Sequence, residues 1–424
     1  MESSLTESVQ QLVRPGKCVD LYYPDPETAH KQCFRTVQNT RYVQAFTNLS
    51  QGSSVFTIPP NNGVQDIVLV FELPAIAART DLAIPRGWGY ALIKQLSFRY
   101  GGSSQYFLSG QQLLQNTLRK APNASARDDL FSLGGSAATG ATLATPQRAY
   151  VWCSLPHCVP TADGRLPPLP SDLLTQQIQI TCELNAIPSI FTVGTGGSIS
   201  GIPTALNFAE FQVQQVILEN QGDALARRVD MTSHALSYPI EFTQQEVVIP
   251  LTDNATAQTV TLTGFRSGEV RNIQCWITVD ADALPGPVVA QAYNPFKWYA
   301  PEDMVMTYAG EIYARFDKGS GALWNLVNGR QAPAVNEVLV DNSAAPVITT
   351  AFLGRWLELP FAQTFDDVTA HSTYTAGKPI TNGIVNLSFN IPQALAPTTG
   401  MKLHVSYNYN GVLTFSQGTC DYVI

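Results

Sequence analysis

The residues best suited to metal or nucleophilic chemistry in this chain are five histidines, at 30, 157, 234, 371 and 404, and seven cysteines. His157 lies between Cys153 and Cys158 in WCSLPHC (152–158), a trio that could ligate zinc. Structural zinc sites take two ligand pairs, and no second pair accompanies this Cys-x4-Cys spacing. Trp152-Cys153 also sits in a strand-like segment whose later counterpart has no cysteine. No metal is expected there. Asp366, Asp367 and His371 in FDDVTAHS (365–372) could bind a cation or exchange protons. No partner motif goes with them, and loops are ordinarily rich in Asp, so a solvated loop is the expectation. His404 alternates with Val405 in KLHVSY, as a histidine in a strand does.

No Gly-x-Ser-x-Gly elbow, Walker sequence or dinucleotide fingerprint occurs. The cysteines, at 18, 33, 153, 158, 182, 275 and 420, are odd in number and unpatterned, and read as reduced thiols. Four Asn-x-Ser/Thr triplets, at Asn48, Asn123, Asn254 and Asn386, carry meaning only along a secretory route. Residues 1–17 lack the basic start and apolar middle of a signal peptide, so synthesis in the cytosol is expected. The site expectation is therefore empty: no catalytic residue, no cofactor or cofactor-binding residue, no metal ligand, and no enzyme.

The elements that would have positioned such chemistry show instead a duplication. LSFRYGGSSQYFLSGQQLLQNTL (96–118) and VMTYAGEIYARFDKGSGALWNLV (305–327) both run from a strand through a Tyr-x-Gly turn to a second aromatic segment and a Ser-Gly. Leu96, Phe98 and Tyr100 alternate with polar neighbours, the period of a half-buried strand. Met304, Met306 and Tyr308 stand 208 residues further on, and Gly102 and Gly310 keep that offset. Ser109 with Gln112 forms a capping box for a helix with Leu114 and Leu118 on one face. Ser320 starts its counterpart, with Leu323, Leu326 and Val327 apolar and Gly329 as the stop. In the same order, IVLVFEL (67–73) matches IQCWITV (273–279) and YVWCSLPHC (150–158) matches RWLELPFAQ (355–363). IQITCEL (178–184) matches VNLSFNI (385–391), and all five offsets fall within 204–209.

Composition agrees with a duplicated β architecture. Only 14% of residues are charged, against about 25% in an average soluble domain. With 30 Gly and 28 Pro, short strands and turns are favoured over long solvated helices. A net charge of −8 disfavours a surface built to grip nucleic acid, and no apolar run approaches the roughly 20 residues of a membrane helix. The Gly/Ser stretch GTGGSISGIPT (194–204) reads as the join. The expected organisation is an N-terminal arm (1–40), a first sandwich (41–200) and a second (201–424).

Three stretches carry a family likeness: FTIPPNNGVQDIVLVFELP (56–74), ALIKQLSFRYGGSSQYFLSGQQLLQ (91–115) and WCSLPHCVPTADGRLPPLPSDLLTQQIQITCEL (152–184). In that order they resemble the first jelly roll of the double jelly-roll major capsid proteins of icosahedral double-stranded DNA viruses. GIVNLSFNIPQALAPTTGMKLHVSYNYNGVLTFSQG (383–418) resembles the close of the second. The resemblance implies an all-β fold of two tandem eight-stranded jelly-roll sandwiches, with short helices in the inter-strand loops. It implies a structural protein of the virion that trimerises into pseudo-hexagonal capsomers and tiles a shell. The implied partners are further copies of the chain, penton and minor capsid proteins, and an internal membrane that the arm could reach through Leu5, Val9, Leu12 and Val13. Direct sequence-specific nucleic-acid binding is not implied. The alternative is a secreted tandem jelly-roll glycan-binding protein or amidase, which would need a carboxylate or aromatic cluster between the halves.

Overall fold

The computed structural model describes residues 37–60, 63–77, 79, 81–101, 106–120, 124–153, 169, 171–193, 197–198, 200–218, 236–266, 268–279, 288–289, 296, 298–317, 336–340, 348–352, 356–361, 378–380, 384–392, 395, 397–416 and 418–423. The helix expected from Ser320 to Gly329, with Leu323, Leu326 and Val327, lies outside them. So do Gly102 and the arm before residue 37.

Sixteen strands form two sandwiches of identical connectivity. In the first they are β1 (Val37–Ala45), β2 (Gly52–Ile58), β3 (Gly63–Leu73) and β4 (Ile93–Arg99). The same sandwich continues through β5 (Tyr106–Leu108), β6 (Gln147–Cys153), β7 (Ile178–Leu184) and β8 (Phe208–Leu218). One sheet runs β1-β8-β3-β6 and the facing sheet β2-β7-β4-β5. The second sandwich comprises β9 (Leu236–Thr243), β10 (Ala257–Leu262), β11 (Glu269–Val279), β12 (Glu302–Tyr308), β13 (Glu311–Phe316), β14 (Leu357–Pro360), β15 (Val385–Asn390) and β16 (Met401–Ser416). Its sheets run β9-β16-β11-β14 and β10-β15-β12-β13. Each order, with the last long strand threaded between the first and third, is that of an eight-stranded jelly roll.

Four of the five sequence matches fall on corresponding strands, among them 67–73 and 273–279 in β3 and β11, 96–99 and 304–307 in β4 and β12, and 178–184 and 385–390 in β7 and β15. The Trp-x-x-Leu-Pro match falls in β6 and β14, but pairing shifts it by two residues. Trp152 stands opposite Val68, whereas Glu358 stands opposite Gln274, the residue equivalent to Val68. Trp356 therefore corresponds to Tyr150.

The expected division at residue 200 cuts through the first sandwich. β8 pairs along β1 (Val43 with Gln212) and β3 (Phe211 with Leu69), so the strand that alternation placed in the second half completes the first. β1 likewise begins at Val37, inside the segment read as an arm.

Alternation explains the cores. In β7 the residues Ile178, Ile180, Cys182 and Leu184 are buried while Gln179 is exposed. In β15 Val385, Leu387 and Phe389 point inward. Phe56 and Phe211 stack across the first sandwich at 4.5 Å, with Phe46 edge-on to Phe56 at 4.7 Å. Such aromatic pairs add about 0.5–1.5 kcal/mol beyond their buried area. The β12–β13 hairpin turns on Ala309 (φ 52°) and Gly310 (φ 89°), which join the paired residues Tyr308 and Glu311. Positive φ at both central positions matches the right-handed twist of the strands, as in a type I′ turn.

Three helices belong to the first sandwich: α1 (Trp88–Leu92), α2 (Gly110–Lys120) and α3 (Ala124–Leu133). α2 and α3 fill the connection from β5 to β6. The capping box at α2 forms as expected: Gln112 N–H donates to Ser109 Oγ and Ser109 N–H to Gln112 Oε1, both at 3.2 Å. Leu113, Leu114 and Leu118 are buried beneath it. The Gly after the cap serves close approach, since a Cβ at Gly110 would lie 2.1 Å from the Tyr90 carbonyl oxygen. In the second sandwich the β13-to-β14 connection contains a hairpin, Asn336–Val340 with Ile348–Phe352.

Candidate functional site

Among the described residues, those singled out for chemistry do not converge. Cys153, Cys182 and Cys275 are fully buried in β6, β7 and β11, and burial pushes each thiol well above its usual range. A thiol held neutral is a small apolar core group, not a nucleophile. His404, in β16, stacks on Trp276 at 5.3 Å between ring centres. Its Nε2 lies 2.7 Å from Thr278 Oγ1 and its Nδ1 3.5 Å from the Glu246 carboxylate. These contacts bury the ring as a packed side chain of the junction described next. His157, Cys158, Asp366, Asp367 and His371 lie outside the described residues. Among the described residues no group of three or more His, Cys, Asp or Glu is close enough to hold a metal ion.

A cluster of long-range polar contacts among the described residues lies between the sandwiches. The outward face of β11 and β16 carries Asn272, Gln274, Trp276, Ser406 and Asn408, all buried. α2 of the first sandwich covers part of that face. Gln112 Nε2 donates to Ser406 Oγ and to the Gln244 carbonyl, both at 2.8 Å. Trp276 Nε1–H donates to Gln111 Oε1 at 3.1 Å. At the adjoining edge the Thr243 N–H donates to Tyr106 Oη at 3.1 Å, and the Tyr106 ring meets Phe242 edge-on at 4.8 Å. Phe131 of α3 packs edge-on against Phe296.

Two backbone links add to the junction. Thr175 N–H donates to the Gly418 carbonyl at 2.8 Å. Thr192–Val193 pairs in parallel with Val288–Val289, so a strand from the second half extends a small sheet of the first. Uncharged amides, hydroxyls and indoles dominate the interface. Such groups avoid the desolvation cost of buried charge, and each directed hydrogen bond fixes one relative orientation. A cavity of about 150 Å³ at this seam is lined by Tyr90, Lys94, Ser109, Gln111, Glu246 and Phe296 among others. It is smaller than the roughly 300–1,000 Å³ of small-molecule sites. The junction is built to hold two modules together.

These contacts were not foreseen from the sequence. GQQLLQ reads there as a helix with an apolar Leu face and a polar Gln face, and polar faces are usually solvated. The only available signal was the lack of charge on that polar face.

Away from the junction, ionic contacts are local. Arg79 grips Asp81 through two hydrogen bonds, at 2.9 and 2.7 Å, and also donates to the Ser200 and Ser198 carbonyls. The Arg79 guanidinium holds the Asp81 carboxyl down at about 2. Glu72 accepts from Arg148 and from Asn207, each at 2.5 Å, and both contacts lower its pKa.

No family model matches the chain, and no curated protein matches it in sequence. Solved structures do. A chain of the PBCV-1 virus capsid aligns over 92% of this chain and 97% of its own, with TM-score 0.61 and 13% identity. The mavirus major capsid protein aligns over 98% and 93%, with TM-score 0.55 and 10% identity. The Faustovirus major capsid protein aligns over 98% and 99%, again with TM-score 0.55 and 10% identity. At these identities the likeness establishes the fold, an all-β double jelly roll shared along nearly the whole chain.

Proposed function

We propose that this chain is the major capsid protein of a virus, a structural subunit that forms trimers and tiles an icosahedral shell without catalysing a reaction. The observation that carries the reading is one module used twice and locked by a junction made mostly of uncharged polar groups, in the fold that three viral capsid proteins also adopt over at least 92% of this chain. Three copies of a rigid two-module unit present six similar modules around a ring, which gives a near-hexagonal outline for tiling. A ring of this kind is closed by head-to-tail contacts between unlike surfaces. The low charge supports the reading, because extensive burial between subunits disfavours charged side chains. On this reading the protein resides in the virion, its partners being its own copies, penton and minor capsid proteins, and an internal membrane.

Negative-stain microscopy with light scattering tests the proposal. Trimers with six-sided outlines, or closed shells, are expected. A stable monomer over the micromolar range that binds glycans would refute it in favour of a tandem jelly-roll lectin.

A further inference from the structure

We infer that His404 and Glu246 form an acid-tightened latch on the junction: a proton taken up by the imidazole turns their approach into an ion pair that fixes the chain segment to which α2 is hydrogen-bonded. The latch lies within one chain and is independent of the proposed capsid role.

Two facing atoms point to it. His404 Nδ1 and Glu246 Oε2 are 3.5 Å apart, on side chains that are 11% and 17% exposed. Both atoms are buried, and neither has a hydrogen-bond partner among the described residues. Their separation exceeds the roughly 2.7–3.2 Å of an N–H···O bond. The other ring nitrogen is already engaged, since Nε2 lies 2.7 Å from Thr278 Oγ1, a hydroxyl that can donate or accept. A neutral imidazole has one N–H for the two directions, and with that proton on Nε2 a lone pair faces the carboxylate. The imidazolium has an N–H for each, and the second meets a carboxylate in a charge-assisted bond. The Trp276 ring lies within 13° of parallel to the imidazole, with ring centres 5.3 Å apart, and an indole face favours a cation.

Position makes the pair a latch. Glu246 precedes the strand Val247–Pro250, in which Val248 stands opposite His404 on β16. Two residues before Glu246, the Gln244 carbonyl accepts from Gln112 of α2. On the other side of His404, Trp276 of β11 donates to Gln111 of the same helix. The first sandwich thus grips the second through groups on both flanks of His404, and an ion pair with Glu246 ties one flank to the other.

Among the described residues few other charges face the ring. Lys402 lies two residues along β16 on the same face. On β11 the neighbours Gln274, Trp276 and Thr278 are uncharged, as are Gln111 and Gln112 of α2. Further across the sheet, Glu358 of β14 accepts from Asn272 at 2.6 Å. Glu246 also lines the seam cavity, together with the buried phenol Tyr90 and with Lys94, which pairs with Glu183 at 2.7 Å. Imidazoles gain their proton in mild acid. The pair exists in the folded chain alone, so its contribution is present where the ring is charged and is lost as pH rises.

A double-mutant cycle in the intact chain tests the latch: wild type, Glu246→Gln, His404→Gln and the double variant, each unfolded in urea at pH 5.5 and pH 8. The cycle separates the pair from every other group that titrates. Coupling of about tenfold in the unfolding equilibrium constant is expected at pH 5.5, falling to within about twofold at pH 8. Equal coupling at the two pH values, or none at pH 5.5, overturns the inference. Where a variant fails to fold, the wild-type chain alone decides. Amide exchange of residues 244–248, corrected for its intrinsic pH dependence, is expected to be slower at pH 5.5 than at pH 8, and equal or faster exchange at pH 5.5 overturns the inference.

Discussion

Gln112 offers a sharp test of how the two sandwiches are held. It is 1% exposed, and its amide nitrogen reaches Ser406 Oγ and the Gln244 carbonyl while its oxygen closes the helix cap. Gln112→Ala removes all three contacts. A buried group left without its partner costs about 1–3 kcal/mol, but Ser406 Oγ still reaches the Gln244 carbonyl at 3.4 Å and limits the loss. The lost cap contact adds about 0.5–1 kcal/mol. The sum is about 2–3 kcal/mol, or roughly 4–12 °C in midpoint for a unit of about 200 residues. Gln112→Glu separates this mechanism from simple loss of packing. It keeps shape and cap but points a carboxylate oxygen at the Gln244 carbonyl oxygen, where the amide had donated, and a buried charge with no counter-charge costs about 3–5 kcal/mol. The carboxyl would have its folded pKa raised above the unfolded value near 4.3, so the penalty is full above the folded pKa and relieved as pH falls through it toward 4.3. Urea unfolding followed by tryptophan fluorescence at pH 7.5 and pH 5 measures both effects. Equal stability of the Glu and Ala variants at pH 7.5, or no recovery of the Glu variant at pH 5, would refute the donor role of Gln112.

Three further outcomes are expected. Asp81→Asn should destabilise the 198–200 segment above pH 4, seen as faster amide exchange there. The difference from wild type should shrink as pH falls toward 2, where the native carboxyl itself protonates and its contribution is lost. Gly110→Ala should cost at least about 3 kcal/mol, since the new methyl would meet the Tyr90 and Ile93 carbonyl oxygens at 2.1 and 2.6 Å; a thermal midpoint within 2 °C of wild type would contradict that geometry. Cys153, Cys182 and Cys275 should resist iodoacetamide in the native protein at pH 8 and react on unfolding, as mass spectrometry of the alkylated peptides can check.

The strands were legible because a half-buried strand must alternate, and β4, β7, β12 and β15 all do. Their duplication was legible because matching strands kept a nearly constant spacing. Strand ownership was not. FAEFQVQQVIL alternates equally well in either sandwich, and only its register with Val43 and Leu69 assigns it to the first. The two-residue slip between Trp152 and Trp356 escaped for a related reason, since like residues can be aligned while pairing follows the backbone. The junction was hidden because Gln111 and Gln112 look like solvated helix residues until the face they touch is known. The emptiness expected of the site rested on motifs; what the structure adds is that Cys153 and His404 have packing roles.

The placement of β8 has a consequence for how the chain comes into being. It lies between β1 and β3 in space yet follows them by well over a hundred residues, so a ribosome that has produced residues 1–200 has made a sheet with an open slot at its middle. Two long strands wait there with unsatisfied backbone edges until Phe208–Leu218 emerges. β16 repeats the situation in the second sandwich, between β9 and β11. Each half therefore seals only when its last long strand slides home, and a fragment meant to stand alone has to be cut after residue 218.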